Sequence, residues 1–337
     1  MRNLTSDNQS GVHPKIMQAL AGANDGHEQS YGMDSFTKRA EKVFSQQLGE
    51  CHVFFVFNGT AANVLALQAI MKPYEAVICA QTSHLHVDEC AAPERFLGSK
   101  LFVVPTTNGK LTVEQIAPFV IRRGDQHFPQ PRVISIANPT EMGTIYSPAE
   151  VKAIADYAHK NGLLLHVDGA RIVNAAAAQD VSLKALTSEA GVDVLSFGGT
   201  KNGLMFGEAV VLFKPVSDFR YIRKQAMQLG SKGRFIAAQF LALFADELWK
   251  KNALHAIDMA KLLAEKASKV PNVRITQTVQ GNAVFAIIPK KVVGPLSDFM
   301  HFYVWNEHSF EVRWMTSFDT TPEDIDAFVA KLATLCP

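Results

Sequence analysis

The chain has 337 residues, 47% of them hydrophobic and 19% charged, a composition that supports substantial packed cores and excludes a disordered chain. Lys and Arg number 33 against 32 Asp and Glu, and they are scattered, which excludes a nucleic-acid or anionic-membrane footprint and leaves a small-molecule substrate. Cys51, Cys79, Cys90 and Cys336 are far apart with no Cys-x-x-Cys pair, so they read as reduced thiols rather than as disulfides or zinc ligands.

From residue 51 to 213, short runs rich in Val, Ile, Leu and Phe alternate with helical patterns, which predicts a parallel sheet crossed by helices. The strands are expected at 53–57, 76–80, 101–105, 133–137, 163–167, 194–197 and 209–213. Helices are expected between them at 61–71, 113–121 and 148–160, the last opened by Ser147 as N-cap with Pro148 at its first position. Beyond 213 the spacing predicts long helices at 217–228 and 235–269. Pro271 follows, then a tail with strands at 273–276, 283–288 and 311–314 and a closing helix at 322–335. The expected organisation is α/β: a large unit of residues 1–240, with an N-terminal arm 1–15, and a smaller α+β unit of residues 241–337. The amino terminus has no apolar signal core and no apolar stretch can span a bilayer, so a cytoplasmic location is the expectation. No cluster of His, Cys and carboxylates has metal-ligand spacing, and no catalytic metal is expected.

Ligands of such sheets collect at the carboxyl ends of the strands, which directs attention to four strand ends. After the first, Phe57-Asn58-Gly59-Thr60 turns into an alanine-rich helix whose free N–H groups favour a phosphate, or Thr60 is simply a cap. No nucleotide-binding glycine fingerprint accompanies it. After the second comes Thr82-Ser83-His84, where a flat, near-neutral imidazole could cover a ring and move protons, or be structural. The strand at 163–167 ends on Asp168, which requires a partner: Arg171, as a structural ion pair, or a protonated pyridine nitrogen. The strand at 194–197 ends on Gly198-Gly199-Thr200-Lys201. Between a buried strand and Leu204-Met205-Phe206, the Lys201 amine is expected to be partly desolvated and nucleophilic rather than solvated. Phosphate cradle, Asp, Lys and His together are what pyridoxal phosphate requires of a protein.

The segments SDNQSGVHPKIMQAL, SYGMDSF, FNGTAAN, TSHLHVDE, HFPQPRVISIANPTEMGTIY, HVDGARI, SFGGTKNG and EVRWMTS run through nearly the whole chain. In them the sequence resembles the threonine aldolases of the aromatic amino acid β-eliminating lyase and threonine aldolase family, which are fold-type-I enzymes dependent on pyridoxal 5'-phosphate. The resemblance implies the aspartate aminotransferase-like fold, a seven-stranded mostly parallel sheet, with Lys201 as the Schiff-base lysine and Asp168 as partner of the pyridine nitrogen. It implies Asn58, Gly59, Thr60, Thr200 and Arg171 around the cofactor and His84 stacked on its ring. Ser6, Arg171 and Arg313 match residues that hold the substrate carboxylate, a task suited to the planar arginine fork. His127 matches a second histidine near the substrate hydroxyl. Tyr31 and Arg234 match residues that reach the cofactor phosphate or the active site from a neighbouring subunit, which implies a homodimer or a homotetramer built as a dimer of dimers.

The implied reaction is cleavage of L-threonine, L-allo-threonine and related β-hydroxy-α-amino acids to glycine and an aldehyde. His84 is the first choice for the base that takes the β-hydroxyl proton, with His127 orienting the hydroxyl and Asp168 keeping the ring able to accept electrons. A β-eliminating lyase, racemase or aminotransferase on the same scaffold is the nearest alternative, as is an aldolase preferring phenylserine. A ligand-binding protein without activity is the alternative of another class.

Overall fold

The computed structural model describes residues 2–336, so the end positions 1 and 337 of the two expected units lie outside it. A seven-stranded sheet is made of β1 (His52–Val56), β2 (Glu75–Ala80), β3 (Lys100–Val104), β4 (Gln130–Ala137), β5 (Leu164–Gly169), β6 (Val194–Gly198) and β7 (Glu208–Leu212). Their order is β1-β7-β6-β5-β4-β2-β3, and only β7 runs against its neighbours. Both faces of this sheet are covered, so β6 and β7 are buried at every position, which is why these strands read as unbroken apolar runs rather than alternating ones.

The covering helices explain their own positions. Helix Gly59–Gln68 is buried at six consecutive residues from Ala62 to Leu67, and Asn58 caps it by accepting the Ala61 N–H at 2.9 Å. Helix Pro148–Lys160 starts with a reciprocal capping box between Ser147 and Glu150. Phe44, from helix Ser35–Leu48, meets Phe55, Phe197, Phe240 and Phe244 edge-on at centroid distances of 5.0–5.9 Å, which locks the outer helices onto β1 and β6.

Three expected helices are shorter than their periodicity suggests, and the pattern at 217–228 is helical only over Phe219–Gln225. The pattern at 113–121 is α-helical only over Val113–Ile116, because Pro118 supplies no N–H to continue it. The pattern at 235–269 is two helices, Arg234–Phe244 and Leu248–Ala267, separated by Asp246 and Glu247 in left-handed conformation at φ 51° and 53°. Apolar spacing continues across that turn although the i→i−4 hydrogen bonds do not. The second helix serves both cores: Trp249, Ala253 and Ile257 belong to the core under the large sheet, and Ala260, Leu263 and Ala267 to a second one.

That second core lies against a four-stranded antiparallel sheet of β8 (Arg274–Ile275), β9 (Ala283–Ile287), β10 (Tyr303–Asn306) and β11 (Glu311–Met315), in the order β10-β11-β9-β8. β10 has no counterpart in the sequence reading, since as an exposed edge strand it buries no side chain fully. Leu4 is fully buried in this core; its N–H donates to the His301 carbonyl and its own carbonyl accepts from Met315 N–H. The amino-terminal segment is thereby tied to β11 and carried across to the end of the large sheet. Among the described residues no helix is long and apolar enough to cross a membrane.

Candidate active site

The carboxyl ends of β1, β2, β4, β5 and β6 open into one cavity of about 410 Å³. Asn58, Gly59 and Thr60 form one wall at the start of a helix whose first N–H groups and dipole are available to an anion. Asn58 is the cap, which leaves the Thr60 hydroxyl free of that duty. A Cβ at Gly59 would meet nothing within 4 Å, so no neighbouring atom of the chain demands a glycine there. Thr200 lines the cavity too, its hydroxyl accepting Gly207 N–H at 3.2 Å.

Asp168, near the end of β5, is held by two donors: Asn63 Nδ2 at 2.8 Å on Oδ2 and Ala170 N–H at 3.0 Å on Oδ1. Burial works against its ionisation, but the Ala170 N–H, the Lys201 charge and the Asn63 amide prevail and hold its carboxyl below the ordinary value. Two residues back, His166 bridges Ser135 and Ser196 on the flanking strands; burial depresses it to about 4, so it is a neutral spacer. Lys201 follows β6 in a short turn closed by Gly203 at φ 102°, and its side chain lies in the cavity wall. Burial, then the neighbouring Arg171, pull its ammonium below the usual range, the direction that favours a nucleophilic amine.

Asp168 and Arg171 do not pair. Arg171 gives its Nε and Nη2 to Asp7 at 2.5 and 2.7 Å, and Asp7 also accepts from Asn282 Nδ2 at 3.0 Å. The alternative of an Asp168–Arg171 ion pair is therefore corrected: a carboxylate from the amino-terminal segment reaches the arginine instead. Ser6 accepts Asn8 N–H at 3.2 Å just outside the cavity, and Asn8 lines it. Arg313, on β11, lies 5.2 Å from the rings of both Tyr303 and Trp305, with Nε buried and unpartnered. Burial and Arg171 lower it to about 10.

His84 sits beyond β2. Its Nδ1 is 2.8 Å from Glu89 Oε1, and its backbone N–H donates to Glu141 Oε1 at 2.8 Å. Glu89, Glu141, Glu208, Asn63 and Asp7 escaped the sequence reading. The usable signals were a polar Asn63 inside the apolar run Ala61–Leu67 and a charged Glu208 opening a strand otherwise apolar to Leu212. Burial raises both Glu141 and Glu208 to about 7.

Three expected site residues are elsewhere. His127 is exposed, its N–H donating to Asp125 Oδ1 at 2.9 Å, just before β4 begins. That is the amino end of a strand whose other end carries the cavity, roughly 25 Å away at about 3.3 Å per residue. Within one chain His127 therefore lies away from the cavity. Tyr31, half exposed at φ 61°, joins Gly32 and Gly233 in a separate cleft beside β1. Next to that cleft, Arg234 donates to the carbonyls of Asp25 and Gly26 at 3.3 and 3.1 Å.

The donor set fits pyridoxal phosphate: helix N–H groups for an anion, a carboxylate held ionised for a ring nitrogen, an imidazole, and a desolvated amine for an aldehyde.

The beta-eliminating lyase family matches residues 3–290 of the chain. Over 332 residues, 96% of this chain and 95% of the other, the sequence is 44% identical to a Pseudomonas aeruginosa protein named low specificity L-threonine aldolase. A protein of the same name from a Pseudomonas species is 42% identical over 327 residues, 95% and 93% of the two chains. The fold matches the Leishmania major threonine aldolase with a TM-score of 0.93 over the whole of both chains, at 29% identity.

Proposed function

The chain belongs to the beta-eliminating lyase family, and on that footing we propose that it is a pyridoxal-phosphate-dependent carbon–carbon lyase cleaving L-threonine and related β-hydroxy-α-amino acids to glycine and an aldehyde. The observation that carries the reading is the convergence of Lys201, Asp168 and His84 on one cavity at the carboxyl edge of the sheet. When bound, the cofactor supplies an aldehyde for an amine and a ring that takes up the electron pair released as Cα–Cβ breaks.

The residues of the chain do the rest. Lys201 offers its amine, and Asp168, kept ionised by Asn63 and Ala170, holds a proton on the ring nitrogen. Asn58, Gly59, Thr60 and Thr200 bind the phosphate. Ser6, Arg171 and Arg313 receive the substrate carboxylate; two arginines and Asp7 leave a net single positive charge there, which suits one carboxylate. His84 accepts the β-hydroxyl proton, directly or through water. His127, outside the cavity of its own chain, orients the substrate hydroxyl only if it reaches a neighbour's site. Tyr31 and Arg234 lie outside the cavity of their own chain, and in a homodimer or homotetramer they complete a neighbour's site.

The test is product analysis with L-threonine, L-allo-threonine and phenylserine. Glycine with the matching aldehyde is expected from purified protein, and none from Lys201→Ala, which should also lose the visible absorbance of the bound cofactor. Pyruvate or ammonia without glycine would overturn the reading.

A further inference from the structure

Glu89 is buried with its side chain wholly out of solvent, five residues after His84. Its Oε1 meets both His84 Nδ1 at 2.8 Å and Asn63 Nδ2 at 3.0 Å, and its Oε2 is buried without a partner. The same Asn63 nitrogen donates to Asp168 Oδ2 at 2.8 Å, so both hydrogens of one amide are spent on two carboxylates. Asn63 is 3% exposed in a helix otherwise apolar at its buried positions, and its Oδ1 is also buried and unpartnered.

We propose that Glu89 and Asn63 are positioning residues which set the protonation and orientation of His84. The chain His84–Glu89–Asn63–Asp168 fixes the neutral ring with its proton on Nδ1, leaves Nε2 as the acceptor, and couples the charge on His84 to that on Asp168. Its use in catalysis rests on the aldolase reading above; the state of His84 does not.

The physical case has three parts. A carboxylate stripped of water and given only an amide and an imidazole is unfavourable, and apolar side chains would pack the place more cheaply; a role only in packing accounts poorly for it. A carboxylate on one ring nitrogen selects the tautomer and makes the other nitrogen more basic. Finally, Asn63 brings Glu89 and Asp168 within reach of one nitrogen atom, so a change of charge at one is felt at the other.

The charges facing His84 are mixed, with the acidic ones outnumbering the one ammonium. Glu89 raises its pKa, opposed by burial; Asp168 on β5 raises it further and Lys201 beyond β6 lowers it. Glu141, beyond β4, accepts the His84 backbone N–H and adds a further acidic group.

The test uses the holoenzyme labelled with 13C and 15N histidine, His84 being assigned as the resonance lost in His84→Asn. Neutral His84 in the wild type is expected as the Nδ1–H tautomer. In Glu89→Gln its titration midpoint should fall by about one unit or more, and Glu89→Asp should recover part of the shift. In threonine cleavage, Glu89→Gln should lower kcat about tenfold, leave KM within about threefold, and move the acid limb of kcat/KM to lower pH with the His84 midpoint. A wild-type His84 in the Nε2–H tautomer overturns the proposal without any variant. So does a Glu89→Gln protein that is less stable but has an unmoved His84 midpoint. If no glycine forms while the midpoint still moves, the aldolase reading falls and the positioning assignment stands.

Discussion

Arg171 is held by Asp7, 164 residues away in sequence, through two parallel hydrogen bonds of 2.5 and 2.7 Å, and not by Asp168 three residues before it. The pair anchors the amino-terminal segment to the mouth of the cavity. Asp7 is 1% exposed, so removing its charge strands an arginine beside Arg313 and Lys201. Asp7→Ala is expected to lose about 3 kcal/mol of unfolding free energy in denaturant titration, and an unchanged midpoint would refute the account. Burial raises the Asp7 pKa, but Arg171 outweighs it and the folded value lies below the ordinary 3.8. The stabilisation is therefore fully present above that value and lost as pH falls below it toward the folded value, a dependence that Asp7→Ala should lack.

Glu208 behaves in the opposite way. Burial drives its carboxyl from 4.5 to about 7, against the Thr200 and Gly199 hydrogen bonds that favour the charged form. Between those values the unfolded chain has released a proton that the folded chain retains, so stability falls as pH rises from about 4.5 to 7. Glu208→Gln can still accept the Gly199 N–H and should be more stable than the wild type at pH 8, by on the order of 2–3 kcal/mol. The difference should vanish below about pH 4.5. Thermal unfolding of both proteins across that range checks the sign.

Gly198 ends β6 against the segment that follows Asp168, and a Cβ there would run into the backbone of Ala170. Gly198→Ala is expected to cost roughly 1–3 kcal/mol and to push Asp168 and Lys201 apart. The expected signature is loss of cofactor affinity out of proportion to the loss of stability. Equal cofactor binding in the two proteins would show that the contact relaxes harmlessly.

Arg313→Lys keeps the charge but removes the planar fork and the stacking between Tyr303 and Trp305. If Arg313 receives the substrate carboxylate, KM for L-threonine should rise about 10- to 100-fold with kcat changed by less than about fivefold. A change confined to kcat would place Arg313 outside carboxylate binding.

Lys201, Asp168, Gly59 and Thr60 were legible in the sequence because each stands at the end of an apolar run, and in a parallel sheet strand ends share one edge. The seven strands of the large sheet were legible for the same reason: burial on both faces leaves continuous apolar stretches at 53–57, 194–197 and their neighbours. What the tertiary structure alone decided was pairing and place. Asp7 for Arg171 and the link from Asp168 through Asn63 to Glu89 join residues far apart in the chain, and charges choose partners by approach in space, which no local period records. Similarly, the left-handed residues Asp246 and Glu247 split a helix whose apolar spacing is unbroken, because spacing reports which face is buried and not whether the backbone hydrogen bonds continue.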